Sequence, residues 1–108
     1  MGETYQVVVS ELAEASLQSI VEYLTQTASE AVAEKVRAGI IEEIRKLAIM
    51  PERNGLLRGV DNLAITYRRV LKWSYRIIYT IEDQELTVVV VEIDHSRRNP
   101  KELEQILL

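Results

Sequence analysis

The sequence predicts an α+β domain: an N-terminal strand, an antiparallel helical hairpin on one side of an antiparallel β-meander, and a short C-terminal helix. Two observations carry most of this. Apolar residues recur at helical spacing twice in the first half of the chain, each time behind a serine and a glutamate. Three β-rich runs then follow with connections too short for anything but antiparallel neighbours.

The elements can be justified in order. Tyr5-Gln6-Val7-Val8-Val9 is a β-branched run stopped by Ser10-Glu11, which offers an N-cap and an acid for a helix start. Ala13, Leu17, Ile20, Val21 and Leu24 make the apolar stripe of that helix. Thr27-Ala28-Ser29-Glu30 interrupts the pattern and opens a second helix, with Val32, Val36, Ile40, Ile44 and Leu47 on one stripe and Pro51 as its stop. So short a turn makes the two helices an antiparallel pair. A loop with Gly55 and Gly59 leads to the strand-like runs Leu63 to Leu71, Tyr75 to Ile81 and Leu86 to Ile93. Val88 to Val91 is continuously apolar, as in a central strand covered on both faces. Pro100 stands where a last helix begins, with Leu103, Ile106 and Leu107 as its stripe.

At 108 residues the chain suits one domain, 1–108, with one two-layer core. Apolar residues at 47% and charged residues at 28% are globular proportions, which excludes a disordered tail. The sequence contains no apolar run long enough to span a bilayer and no basic-then-apolar leader pattern, so a cytoplasmic location without membrane contact is expected. With no cysteine and one histidine, neither disulfides nor Cys- or His-rich metal sites can be built, and no cofactor is implied. A net charge of −4 argues against indiscriminate adhesion to nucleic acid.

Charge is nevertheless sorted along the chain. Between Pro51 and Ile81, Arg53, Arg58, Arg68, Arg69, Lys72 and Arg76 face only Glu52 and Asp61, a local balance of about +4, while each flank totals about −4. Sorting of this kind fits one face made to meet an anionic partner, and fits equally a well-solvated strand face. On the runs that carry these cations, Arg76 points away from Tyr75 and Ile77, and Arg68 and Arg69 point to opposite faces. Arginine beside tyrosine on adjacent strands can clamp a phosphate and stack a base, although such tyrosines are more often half-buried core. At the end of the last run, His95-Ser96-Arg97-Arg98-Asn99-Pro100 places two cations beside a helix start, an anion-site pattern, with His95 in reach of general acid–base work or of a mere capping role. Arg97 and Arg98 are both expected to be exposed.

The helical hairpin, the Pro-x-x-x-Gly turn, the Tyr75-Arg76-Ile77-Ile78-Tyr79 strand and the His95-to-Pro100 ending together resemble the RelE/ParE toxin superfamily of type II toxin–antitoxin systems over essentially the whole chain. The ending is closer to the ParE branch. A RelE-like chain implies a metal-independent, ribosome-dependent mRNA endoribonuclease, with Arg76, one of Arg97 and Arg98, and the Arg68–Arg69 pair in the places of the family's basic residues. No tyrosine follows Tyr79, however, so the tyrosine such enzymes use as base is missing and His95 would have to serve. A ParE-like chain implies binding and inhibition of DNA gyrase with no catalytic set of its own. That reading ranks first, with mRNA cleavage and an inactive, antitoxin-binding relative behind it. A cognate antitoxin is implied in each case. The target- or phosphate-binding residues expected are Arg68, Arg69, Lys72, Arg76, Arg97 and Arg98, converging into one cationic surface.

Overall fold

The computed structural model describes residues 3–59 and 64–107. The start of the expected strand at Leu63, and Asp61 in the preceding loop, lie outside the described residues.

Strand β1, Gln6–Val9, leads into helix α1, Glu11–Thr27, and after a tight turn into helix α2, Glu30–Lys46. Both helices begin as the sequence predicts. Ser10 accepts the Ala13 amide through its hydroxyl and Ser29 accepts that of Val32, each at 3.1 Å, satisfying one orphan donor of the first turn. Helix α2 stops at Lys46, several residues ahead of Pro51. The backbone beyond it is claimed by the N-terminus: the Tyr5 amide donates to the Ala48 carbonyl at 2.8 Å, and Thr4 bridges to Ile49. Met50 then takes a left-handed conformation, φ 49°, in place of the extended one usual before proline.

Strands β2, Arg68–Lys72, β3, Tyr75–Glu82, and β4, Thr87–His95, form the expected antiparallel meander, and helix α3, Pro100–Leu107, closes the chain. The sheet order is β1-β4-β3-β2, with β1 parallel to β4, so the sheet is mixed. Strand β4 is central, and Val88 and Val90 are fully buried beneath the helices, while Val89 and Val91 on the other side are only half covered. The hairpin side of the sheet holds the larger core, built from Ile40, Ile44, Leu47, Ile77, Tyr79, Val88, Val90 and Ile93. The opposite side holds a smaller cluster of Leu57, Tyr67, Ile78 and Leu103, capped by α3. Val32 does not join the stripe of α2 and is exposed.

A register shift in β4 decides where the charged residues go. Ile78 pairs with Glu92 and Tyr79 with Val90, leaving Val91 as an extra residue. Side chains alternate along a strand, so without this bulge Glu92 and Asp94 would share the face of Val88 and Val90 under the helices. One added residue flips them to the α3 side and sends Ile93 to the larger core instead.

Candidate functional site

The bulge brings Glu92 and Asp94 onto the face where Arg76 already points. Arg76 and Asp94 are cross-strand partners and form a two-pronged pair, with Nε to Oδ1 at 2.9 Å and Nη2 to Oδ2 at 2.8 Å. Both are buried, so the geometry of this pair must offset the desolvation of both charges. Arg98 reaches back from the turn after β4 and donates to Oε2 of Glu92 at 3.0 Å, with Asp94 at 3.9 Å and Glu102 at 4.0 Å. The other oxygen of Glu92 accepts from the Ser16 hydroxyl of α1 at 2.6 Å and from the Ile93 amide at 2.9 Å. Two guanidiniums are thus set among three carboxylates. The cluster is locally neutral to negative and knits β3, β4, α1 and the start of α3 together.

The remaining expected cations do not join it. Arg68 lies on the hairpin side, in register with Tyr79, and its guanidinium donates to the carbonyls of Glu52 at 3.1 Å and Asn54 at 2.7 Å. Arg69 is on the other side, half-buried, its guanidinium against Gly55. Lys72 is in register with Tyr75 and holds its ammonium 4.6 Å from the centre of the Trp73 ring. Arg97 is exposed, and its amide donates to Nδ1 of His95 at 3.1 Å. His95 itself is exposed, with its ring edge-on to Tyr75 at 5.8 Å.

Of the expected set of Arg68 or Arg69, Arg76, and Arg97 or Arg98, the fold puts Arg69, Arg76 and Arg98 on one face of the sheet. Arg76 and Arg98 do meet, but around carboxylates. Arg68 is on the opposite face because strand alternation splits it from Arg69, and its charge satisfies the carbonyls of the turn after α2. Nor is Arg98 the freely exposed residue the sequence suggests. Sequence reasoning missed Glu92 and Asp94 as the partners. The available signal was two carboxylates at alternate positions in an otherwise apolar strand, which need inward-facing cations. Trp73, which no pattern in the sequence singled out, stands half exposed at the β2–β3 turn. Among the described residues, no group of three or more His, Cys, Asp or Glu side chains is arranged to hold a metal ion. No helix of the described residues is long and apolar enough to cross a membrane.

This fold and arrangement have relatives. Residues 7–100 match the model of the ParE toxin of the type II toxin–antitoxin system parDE. The chain belongs to the ParE toxin family. Among solved structures, it is similar to a chain of the chromosomal ParDE system from P. aeruginosa, with a TM-score of 0.68 and 14% identity over 85% of this chain and 96% of that one. It is also similar to a chain of the RelBE2 toxin–antitoxin complex from Mycobacterium tuberculosis, with a TM-score of 0.63 and 22% identity over 86% and 92% of the two chains. A third likeness is to the archaeal RelE-RelB complex from Pyrococcus horikoshii, with a TM-score of 0.58 and 16% identity over 88% and 98%. Identities this low speak for the shared fold. No curated protein matches the sequence. The chain is thus a toxin of the ParE/RelE type, with an α+β fold common to both branches.

Proposed function

We propose that this ParE-family toxin acts by binding and inhibiting DNA gyrase, and that a cognate antitoxin neutralises it. The observation that carries this reading is the state of Arg76 and Arg98. Cleavage of an RNA phosphodiester needs cations free to meet developing charge on phosphate, and a base in reach of the attacking hydroxyl. Here Arg76 is buried in its pair with Asp94, and Arg98 is drawn onto Glu92. A phosphate approaching them would meet guanidiniums already neutralised by carboxylates. No tyrosine follows Tyr79, and the Nδ1 atom of His95 already accepts a backbone amide. These features favour a toxin that works by protein contact over one that works by metal-independent cleavage. The antitoxin reading draws on the neighbouring ParDE and RelBE complexes and on a groove between α1 and α2 lined by Leu17, Val21, Ile41 and Ile44, which suits an amphipathic segment.

The test sets purified toxin against gyrase and against ribosomes. Inhibition of supercoiling, with gyrase trapped on cleaved DNA at micromolar toxin, is the expected result. Cutting of mRNA in the ribosomal A site, lost on Arg76→Ala, would replace the binding reading with a RelE-like one. Normal growth on induced expression would mark an inactive relative that only engages its antitoxin.

A further inference from the structure

The β2–β3 turn carries a residue whose backbone conformation its side chain does not favour. Lys72 and Tyr75 are register partners, so Trp73 and Ser74 make a two-residue hairpin turn. Trp73 takes φ 53°, at the first central position, where turns of this kind prefer glycine. A bulky residue held in that region is a departure that points to a use. Trp73 is also half exposed, as is Leu71 two residues before it. Room has been made for the indole on its inner edge: a Cβ on Gly39 of α2 would lie 2.6 Å from Cζ3 of the ring. Glycine is the residue that lets α2 and the indole meet. Lys72 covers a ring face.

The same end of the sheet holds two cations that the buried cluster does not use, half-buried Lys72 and exposed Arg97. The Ser96 amide donates to the Ser74 carbonyl at 2.8 Å, tying the turn after β4 to the hairpin tip. His95 packs edge-on against Tyr75, and Arg97 follows on the exposed side. Lys72, Trp73, His95 and Arg97 therefore form one platform of aromatic and basic character at this end of the sheet, while Leu71 points to the opposite face. The nearest acids along α2, Glu42 and Glu43, are engaged by Arg45 and Lys46. Trp, Tyr and Arg are the side chains that dominate binding energy at protein interfaces.

We propose that this platform, anchored by Trp73, is the surface through which the toxin grips its target, and that it takes an acidic protein segment with an apolar side chain. The proposal rests on the protein-binding reading above. Charge complementarity selects the acidic partner, because Lys72 and Arg97 flank the indole on a chain of net charge −4. A protein segment suits the indole better than a nucleic-acid base, since one ring face is already taken by the Lys72 ammonium.

Trp73 is the single tryptophan of the chain, so its fluorescence reports the platform directly. The probe is a tryptophan-free peptide alternating glutamate with leucine, titrated into the full-length toxin. A saturable blue shift, weakened about tenfold by Lys72→Gln combined with Arg97→Gln and weakened by salt, is expected. No shift at millimolar peptide would overturn the platform, and tighter binding of a single-stranded oligonucleotide would overturn the assignment of a protein partner. In the supercoiling assay, Trp73→Ala should raise the concentration for half-inhibition at least about tenfold while the circular dichroism spectrum of the folded state is retained. If wild-type toxin inhibits gyrase and a folded Trp73→Ala variant does so within about twofold, the platform fails while the gyrase reading stands. If wild type leaves gyrase untouched yet Trp73 responds to the peptide, the gyrase reading fails and the platform stands.

Discussion

The two faces of the sheet are held by different physics. Under α1 and α2 the core is built of apolar side chains, from Ile40 and Ile44 to Ile77, Val90 and Ile93. Under α3 a short apolar cluster shares the surface with Arg76, Asp94, Arg98 and Glu92. Hydrophobic burial is tolerant of small displacements, whereas a buried ion pair is worth having only at good geometry. The comparison teaches that the hairpin face supplies stability and the α3 face supplies position. The ion cluster fixes where β4 ends and at what angle the chain leaves it, and so sets the turn that carries His95 and Arg97.

The sharpest way to break this contrast is to remove one charge from the buried pair. Asp94→Ala leaves Arg76 uncompensated and should lower stability by about 3–5 kcal/mol, measured by urea unfolding. Replacing both, as Arg76→Met with Asp94→Leu, should restore most of it while loosening the 95–99 turn, seen as faster amide exchange there. If the double variant is as unstable as the single, the pair contributes net stability and the division between faces is wrong. Next in size are the two apolar clusters. Ile40→Ala should cost about 3–4 kcal/mol and Leu103→Ala about 2, because a terminal helix can settle into the space left behind while a central helix cannot. Equal losses would erase the distinction. Smaller again is the adjacent arginine pair: Arg98→Ala should cost about 2 kcal/mol by stripping a charged donor from buried Glu92, and Arg97→Ala less than about 0.5.

The sequence made the hairpin face legible and the α3 face hard to read, for a physical reason. Helix caps, apolar periodicity and short connections are local, so Ser10, Ser29 and the order of elements could be read off residue by residue. The parallel seating of β1 against β4 and the assignment of charges were not local. A strict alternation along Val88, Val90, Glu92 and Asp94 places both carboxylates under the helices, and only the bulge at Val91 reverses that. Once it does, Arg76 finds Asp94 and Arg98 finds Glu92, so two of the expected cations are neutralised in place. Arg68, Arg69, Lys72 and Arg97 were visible as charges, but their separate roles depended on cross-strand register. Trp73 went unread because nothing in a turn marks a side chain as functional until the helix glycine opposite it is seen.

A tyrosine on each face gives the finest test. Tyr79, fully buried on the hairpin side, donates its hydroxyl to the Pro51 carbonyl, while Tyr67 donates to the Leu107 carbonyl near the chain end at 3.3 Å. Tyr79→Phe strands a buried acceptor and should cost about 1–2 kcal/mol; Tyr67→Phe leaves a carbonyl that water can reach and should cost under about 0.5. The two also separate by pH. Burial pushes the Tyr79 phenol above its ordinary value of 10.0. The folded state then holds that proton more firmly than the unfolded one. This contribution is whole below pH 10 and lost as pH climbs through the raised value. Unfolding of wild type at rising alkaline pH should therefore steepen relative to Tyr79→Phe and run parallel to it below pH 9 to within about 0.3 kcal/mol of slope. A wild type that tracks the Phe variant at all pH values would mean the hairpin face opens to water more readily than its packing implies.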